Sequence, residues 1–458
     1  MARSVVVSMG RMRDADRPSG SPDQTADGSS LPALRFGDVD PTDSEALTRW
    51  LRARVRGFHE AEIETDADLE RFASSRDRTL RAVFDDSEEH SEIPVGTLSA
   101  WETAVRLPGA LGSASRPVAA RAISAVSVAP THRRRGIARS LITRELRDAR
   151  DQGLYLAVLT ATESAIYGRF GFGPATRGAD YALDTRRARW MAGAPAGRVR
   201  LVPREELRSV APEIDAEAHA QVAGEILRWP NFYDRMLGLT PDRRGAAASL
   251  RAVRYDDESG RPRGYALYRV GASATDPREK DASVIELVAA TPDAYAALWR
   301  FLADLDLVAR VQVRLRDVDE PIAWMVEDPA AVTKSNEREL LWARVLDVPE
   351  ALTARGWAAA DALTLHVHDP LGIAEGSFRL STDAEGRAEV ARLDRPGGEA
   401  ADAGLRLGIA ELGALLLGGA RAETLARARR VLFDHREAPA RLDRMIGGER
   451  PPRLSSVF

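Results

Sequence analysis

The sequence predicts a mixed α/β protein in which two domains of similar outline are followed by a third α/β domain. Its 458 residues are too many for one domain, since a typical domain holds about 100–200 residues. Residues 126–173 contain a strand, a turn, a helix and a second strand, and residues 284–305 repeat the strand and the helix of that pattern. After about residue 347, strand-like alternation comes first and helical patterns follow. We therefore expect three units in tandem.

The composition is that of an ordinary globular protein and argues against several classes. Hydrophobic residues make up 44% and charged residues 29% of the chain, and the formal net charge is −4. This balance argues against a general nucleic-acid-binding protein. No apolar run approaches the ~18 residues that span a membrane, and Val5–Val7 is too short for the core of a signal peptide. We expect a cytoplasmic protein with neither nucleic-acid nor membrane partners.

The chain contains no cysteine, which excludes disulfides, thiolate metal sites and a covalent acyl-cysteine intermediate. The absence also agrees with a reducing cytosol. The seven histidines show no metal-ligand spacing. His366 and His368 share one strand face, but without further ligands nearby a surface strand is the better interpretation. We expect no metal ion.

Residues 1–30 combine Ser, Asp, Gly and Pro with few apolar side chains, which predicts a disordered tail. The first folded domain is expected over residues 31–190. Its sequence indicates a capped helix, followed by two adjacent antiparallel strands. The cap is Asp43 or Ser44, and the strands are Thr79–Asp85 and Val95–Trp101.

The most informative part of this domain is a strand–turn–helix junction. Ile123, Val126 and Val128 form a short β-branched run typical of a strand. The turn at Arg133–Gly136 then opens a helix whose apolar residues recur at helical spacing: Ile137, Leu141, Ile142 and Leu146.

Such a turn is suited to anions. Free N–H groups at a helix N-terminus, the positive end of its dipole and nearby Arg side chains together bind phosphate oxygens. Gly136 matters because a Cβ would keep the backbone away from a pyrophosphate. A solvated basic turn is the alternative. His132, beside the arginines, either contacts phosphate or is simply exposed.

This turn resembles motif A of the GCN5-related N-acetyltransferases, Arg/Gln-x-x-Gly-x-Gly/Ala, which is met by Arg133, Gly136 and Ala138. A second motif of that family, Tyr-x-x-x-Gly-Phe, is met by Tyr167–Phe172, after a predicted strand at Tyr155–Thr160. The resemblance implies that acetyl-CoA is held by the turn and by the edge of the preceding strand. It assigns cofactor binding to Val126, Val128, Arg133, Arg134, Arg135, Gly136, Ile137 and Ala138.

The second domain, expected over residues 197–346, has the outline of the first domain but lacks its arginine- and glycine-containing anion-binding turn. Val284–Thr291 has the pattern of a strand and Pro292–Leu305 that of a helix. Pro292-Asp293-Ala294-Tyr295 stands where the arginines and the glycine would be. We expect a degenerate domain of the same fold.

The third domain is expected over residues 347–458, with a first strand marked by Leu363, Leu365 and Val367 and a helix marked by Ile409, Leu412 and Leu416. The three-part order resembles the Eis (enhanced intracellular survival) family of bacterial acetyltransferases. Those proteins combine an active acetyltransferase domain, a degenerate one and a domain similar to sterol carrier protein. The residues that carry the resemblance are Ala129–Gly136, Ile166–Gly171, Trp342–Pro349 and the terminal Phe458.

Acetyl transfer to an amine also needs a proton donor and a base. The Tyr167 phenol, with a reference pKa of about 10, can protonate a departing thiolate whose conjugate acid has a pKa near ~8.5. A core tyrosine beside Phe170 and Phe172 is the alternative. The resemblance implies that the base is the C-terminal carboxylate, here that of Phe458. Its reference pKa of about 3.5 makes it a weak base, which acts directly or through a bridging water, and a frayed terminus is the alternative.

An acceptor site for cationic amines should carry acidic groups. Glu60 matches the region where relatives place a carboxylate in the acceptor pocket, although a solvated helix-face carboxylate is the alternative. Val457 stands where relatives often have an acidic residue, so the preferred acceptor stays open.

Together these features predict an acetyl-CoA-dependent N-acetyltransferase for primary amines, with aminoglycosides or lysine side chains as candidate acceptors. Transfer would be direct, without an acetyl-enzyme, and the resemblance implies a homohexamer. One alternative is a carrier whose third domain holds an apolar ligand while the first domain only senses acyl-CoA. Another is an acyltransferase that uses longer acyl-CoA.

Overall fold

A computed structural model describes residues 34–458 apart from short gaps at 66–68, 70–71, 73–76, 162, 192, 194, 241–242, 244, 246, 274–275, 277, 395–403 and 449. The disordered tail predicted for residues 1–30 lies outside the described residues. No helix within the described ranges is long and apolar enough to cross a membrane.

The described residues form helices and strands in all three parts of the chain. The helices are α1 Ser44–Gly57, α2 Ile137–Asp151, α3 Ser164–Tyr167, α4 Arg204–Ala218, α5 Phe232–Met236, α6 Pro292–Ala303, α7 Val348–Ala354, α8 Ile409–Leu416, α9 Ala422–Arg427 and α10 Ala438–Ile446. The strands are β1 Leu34–Val39, β2 Thr79–Asp85, β3 Gly96–Leu107, β4 Arg116–Val128, β5 Leu156–Thr160, β6 Gly173–Pro174, β7 Arg177–Asp184, β8 Arg198–Val202, β9 Arg251–Asp256, β10 Pro262–Ala272, β11 Lys280–Ala289, β12 Val308–Arg316, β13 Val332–Glu339, β14 Leu341–Val345, β15 Asp361–His368, β16 Gly376–Thr382, β17 Ala388–Leu393, β18 Gly404–Gly408 and β19 Val431–Phe433.

The first sheet has seven strands in the order β1-β2-β3-β4-β5-β14-β6. The pairs from β1 to β4 are antiparallel, whereas β4 and β5 are parallel. Helix α2 covers one face because its apolar stripe shares a buried cluster with Leu98 and Ile123 of the sheet. The predicted strand, helix and following strand are therefore confirmed as β4, α2 and β5.

The predicted first helix of this domain and the two strands after it are confirmed as well, although an additional strand, β1, precedes the helix. The Asp43 carboxylate caps α1 by accepting the N–H groups of Glu45 at 2.9 Å and Ala46 at 3.1 Å. Of the two predicted caps, Asp43 is thus the one used. Strand β2 has the predicted bounds, whereas β3 continues beyond Trp101 to Leu107.

The second sheet also has seven strands, in the order β13-β7-β12-β11-β10-β9-β8. Its β11 and α6 confirm the predicted strand–helix pair. Leu298, Trp299 and Leu302 of α6 are fully buried in the same cluster as β11 and β12. The outline of the first domain is therefore repeated.

The two sheets exchange strands. Strand β7 precedes residue 190, yet it pairs with β12 and β13 in the second sheet. Strand β14 precedes residue 346, yet it lies between β5 and β6 in the first sheet. The boundaries predicted at residues 190 and 346 stay predictions, and the exchange shows why no single cut of the chain separates the two sheets.

The third domain has a five-stranded sheet in the order β17-β16-β15-β18-β19, with β15 and β18 parallel. The predicted first strand and helix are confirmed as β15 and α8. Leu412 and Leu415 of α8 share a buried cluster with Ala343 and Val345 of β14. The third domain therefore packs directly on the first sheet, and the predicted fold class is confirmed.

Candidate active site

The turn before α2 has the backbone of an anion cradle. Gly136 precedes the helix in the left-handed conformation, with φ 76° and ψ 1°, and Arg134 also has a positive φ of 64°. A glycine adopts this conformation without the cost that a Cβ brings. Gly136, the N-cap residue, has no side chain with which to cap the first turn of α2. The N–H groups of Ile137 and Ala138 lie in this first turn, where helix N–H groups lack partners within the helix, and their binding of an anion stays a prediction.

The three predicted arginines differ in their contacts. Arg133 and Arg134 are exposed, and neither forms an ion pair with any residue in the described ranges. Arg135 donates instead to the buried Asp85 carboxylate at 3.2 Å. Arg133 and Arg134 are consequently the side chains with most freedom to reach an anion.

His132 does not behave as the sequence predicted. It is buried, its Nδ1 lies 2.8 Å from the Thr131 hydroxyl, and its Nε2 lies 3.0 Å from Asp85. Hydrogen bonds from Ser87, and then from His132, lower the pKa of Asp85 to about 2. The expectation of an exposed or phosphate-contacting histidine is wrong, because the ring is buried and both of its nitrogens already have partners within the protein.

Asp85, Glu88 and His132 also place one ligand atom each within 4.8 Å of one another. Asp85 is already paired with His132 and Arg135, which accounts for the grouping without an ion. The expectation that no metal is bound stays a prediction.

A cleft opens between β4 and β5. The two strands pair only at Arg121 with Ala157 and at Ala122 with Val158, although β4 continues to Val128 and both strands are fully described. On its other side, β4 stays paired with β3 as far as Val128. The backbone groups around Val126 and Val128 therefore face a gap in which a ligand with amide groups can add to the edge of the strand.

Tyr167 follows β5 at the end of α3. Its half-buried ring meets Phe172 edge to face, with 6.3 Å between the ring centroids. Burial, with a smaller effect from the Glu163 carboxylate, raises the pKa of the phenol. The hydroxyl therefore keeps its proton at neutral pH.

The loop that carries Tyr167 is fixed by the fully buried Arg344. Its Nε donates to the Phe170 carbonyl at 2.9 Å, and its Nη2 donates to Asp369 at 2.7 Å. Gly171 has φ 81°, and a Cβ there would lie 2.6 Å from Ile409 and 2.7 Å from Arg344. The glycine of the second motif is thus required by the close approach of the third domain.

The C-terminus returns to the first sheet. The Thr160 hydroxyl donates to a terminal oxygen of Phe458 at 2.7 Å, and the Phe458 N–H lies 3.4 Å from the same hydroxyl. The Phe458 ring meets Trp101 edge to face, with 5.3 Å between the ring centroids. The end of the chain is therefore held at the carboxyl end of β5 rather than frayed.

Glu60 is exposed and pairs with Arg54, whose guanidinium lies 5.3 Å from the centre of the Phe58 ring. Arg54 binds the two carboxylate oxygens of Glu60 at 2.8 and 3.2 Å. Arg78 lies 3.7 Å above the Trp101 ring that contacts Phe458. Burial, followed by the charge of Arg54, lowers the pKa of Arg78 to about 10. The charge of Glu60 is therefore paired with Arg54 rather than free.

Sequence reasoning missed the residues that bring the terminus here. Arg228 of the second domain contacts both Ser455 and Ser456, and the Thr160 hydroxyl donates a hydrogen bond to the terminal carboxylate. Arg228 lies more than 220 residues before the two serines in the sequence, and Thr160 lies 298 residues before Phe458. No local pattern marks such pairs.

Models of known families match three parts of the chain. An acetyltransferase (GNAT) domain matches residues 38–175, a second acetyltransferase (GNAT) domain matches 224–370, and a sterol carrier protein domain matches 348–455. The N-acetyltransferase Eis of Mycobacterium tuberculosis is 36% identical over 344 residues, which cover 73% of this chain and 80% of that protein. The chain belongs to the Eis family of GCN5-related N-acetyltransferases.

Other relatives extend the match over nearly the whole chain. An uncharacterized N-acetyltransferase of Streptomyces avermitilis is 31% identical over 437 residues, or 92% of this chain and 98% of that protein. The crystal structure of Eis1 from Mycobacterium abscessus covers 93% of this chain and 99% of its own, with 27% identity and a TM-score of 0.73. As a member of the Eis family, the chain is an acetyltransferase with two GNAT domains and a sterol-carrier-like third domain.

Proposed function

We propose that this Eis-family enzyme transfers the acetyl group of acetyl-CoA directly to a primary amine. One observation carries the proposal. The cradle follows the carboxyl end of β4, and Thr160, which holds the Phe458 carboxylate, is the last residue of β5. Since β4 and β5 are parallel, both groups lie at the same edge of the sheet, on either side of the gap.

The arrangement supplies the groups that amide formation needs. The amine nitrogen attacks the thioester carbonyl, a C–N bond forms, and the C–S bond breaks. The Phe458 carboxylate, directly or through a water, takes the proton that the amine loses. Tyr167, kept protonated by burial, gives its proton to the departing thiolate and is reprotonated by solvent.

The acceptor remains a class rather than a compound. Phe458 supplies a negative charge beside aromatic rings, which favours a cationic amine, and aminoglycosides and lysine side chains are both amines of this kind. Glu60 is a proposed residue of the acceptor site, although its ion pair with Arg54 leaves less negative charge to attract the acceptor. A homohexamer, which the family resemblance implies, and a cytoplasmic location, which the composition indicates, remain predictions.

The carrier alternative has less support. A depression of about 920 Å³ on the third domain is lined mostly by polar and charged residues, such as His366 and Arg406. The apolar cavity inside that domain, lined by Leu365, Leu412, other apolar side chains and the buried Arg355, has a volume of about 10 Å³. A site of this size holds about one water molecule and is far too small for an apolar ligand.

A thiol-release assay tests the proposed function. Acetyl-CoA is mixed with the enzyme and a panel of amines, and the released coenzyme A is measured with a thiol-reactive dye. The protein contributes no thiol, because it has no cysteine. We expect amine-dependent release with a matching acetylated product by mass spectrometry. Release no faster than hydrolysis with every amine would contradict the proposal and favour the carrier alternative.

Arg133→Ala should raise the KM for acetyl-CoA tenfold or more, because a charge-assisted hydrogen bond is worth roughly 1.5–3 kcal/mol. Arg147→Ala is the matched control. Arg147 is exposed on the same helix, ten residues and about 15 Å from its start. Steady-state kinetics over a range of acetyl-CoA concentrations measure the change, and an unchanged KM in folded Arg133→Ala protein would remove Arg133 from the cradle.

A further inference from the structure

Residues 450–458, the C-terminal tail, bind to the second domain before they reach the first sheet. Leu454 is fully buried, and Ser455 and Ser456 are nearly so. Arg228 donates from Nη2 to the Ser455 hydroxyl at 2.7 Å and from Nη1 to the Ser456 hydroxyl. The Ser455 hydroxyl in turn donates to the buried Glu225 carboxylate at 2.9 Å. Every one of these groups is shielded from solvent.

Arg228 is itself held in place. Its Nε donates to Asp215 at 3.0 Å, and the Tyr233 hydroxyl donates to the same carboxylate oxygen at 3.0 Å. The guanidinium lies 4.3 Å from the centre of the Phe232 ring. All three supports come from the second domain, so the orientation of the guanidinium toward the serines does not depend on the tail.

The tail also occupies one side of the second domain's own cleft. Strands β11 and β12 pair in parallel as far as Val284 and then separate, as β4 and β5 do. The cavity beyond them, of about 460 Å³, is lined partly by Arg450, Pro451 and Arg453. Thr291 caps the first turn of α6 there, so the second cleft lacks the free helix start of the first.

We propose that Arg228 is a positioning residue of the acetyl transfer, and that the second domain serves to hold the tail so that the Phe458 carboxylate lies at Thr160. Phe458 is only two residues beyond Ser456, and each extended residue spans ~3.3–3.6 Å. Release of the two serines therefore lets the carboxylate move several ångströms from the cleft. This inference rests on the proposed function only in assigning a catalytic use to Phe458.

Carboxypeptidase A removes C-terminal aromatic residues. The rate at which it trims Phe458 tests whether the second domain holds the C-terminal tail, and it needs no catalytic assay. Arg228→Met removes the hydrogen bonds to the tail, and Ser455→Ala/Ser456→Ala removes the hydroxyls while leaving the Arg228–Asp215 pair intact. Both variants should lose Phe458 about tenfold or more faster than the wild type, as mass spectrometry records. Arg228→Lys should restore part of the protection.

Arg254→Met is the matched control. Arg254 forms a comparable, mostly buried ion pair with Asp256 in the same domain without touching the tail. It should leave trimming and kcat unchanged. Thermal unfolding of each variant shows whether the domain itself has been damaged.

The kinetics separate positioning from stability. In the tail variants kcat should fall while the KM for acetyl-CoA stays the same, because the cradle is untouched. Trimming at the wild-type rate in the folded double serine variant would overturn the inference. Faster trimming with an unchanged kcat would show that the second domain holds the tail but that Phe458 is not needed for catalysis. That outcome would contradict both the proposed base and the positioning role of Arg228.

Discussion

Tyr167→Phe is expected to lower kcat by roughly 10²–10⁴-fold, the usual contribution of a positioned proton donor. The ring and its contact with Phe172 remain, so packing is preserved. The phenol is the group whose pKa burial raises, and the substitution removes only the proton that it donates to the thiolate. The KM for acetyl-CoA should change little, because the cradle lies on another loop.

The leaving group decides whether that loss reflects acid catalysis. An acetyl thioester of a more acidic thiol needs less protonation as the C–S bond breaks, so the variant should lose much less activity with it than with acetyl-CoA. Tyr155→Phe is the control, since Tyr155 is another partly buried tyrosine of the first domain, outside the site. Equal losses with both thioesters would make Tyr167 a packing residue.

The parts of the site that the sequence predicted are local in the chain. The apolar residues of α2 recur at the spacing of a helix, and the glycine before them marks its start. The same holds for the Asp43 cap, which lies within three residues of the N–H groups it binds. Such signals involve neighbours along the chain, and they predicted the fold class and the glycine turn before α2 correctly, whereas the use of that turn for acetyl-CoA stays a prediction.

The parts that the sequence missed depend on residues far apart. Strand β14 inserts beside β5 across about 180 residues, and nothing within its own five residues says which sheet it joins. His132 lies in an arginine-rich run whose polarity predicts exposure, yet its ring is buried in a hydrogen bond with Asp85. Glu60 is six residues from Arg54, which is not a helical spacing, so their pairing could not be anticipated.

Adding one or two residues after Phe458 should abolish most amine acetylation while leaving acetyl-CoA binding intact. The terminal oxygen that accepts the Thr160 hydroxyl would become a peptide carbonyl, and the charge would move by ~3.3–3.6 Å for each added residue. Deletion of Phe458 leaves a carboxylate on Val457, one residue short and without the ring that contacts Trp101. Both changes should lower kcat by roughly 10²–10⁴-fold if the carboxylate is the base.

A semisynthetic protein that ends in the Phe458 carboxamide isolates the charge. It keeps the length, the ring and a carbonyl oxygen for the Thr160 hydroxyl, and it removes only the basic group. The same extension at the N-terminus is the control, and circular dichroism with an acetyl-CoA titration confirms that each protein is folded and binds the cofactor. The amide should be as inactive as the extended protein. If the amide acetylates amines at the wild-type rate while the extended protein does not, the terminus acts by packing, and the base must be sought in an internal carboxylate, beginning with Glu60.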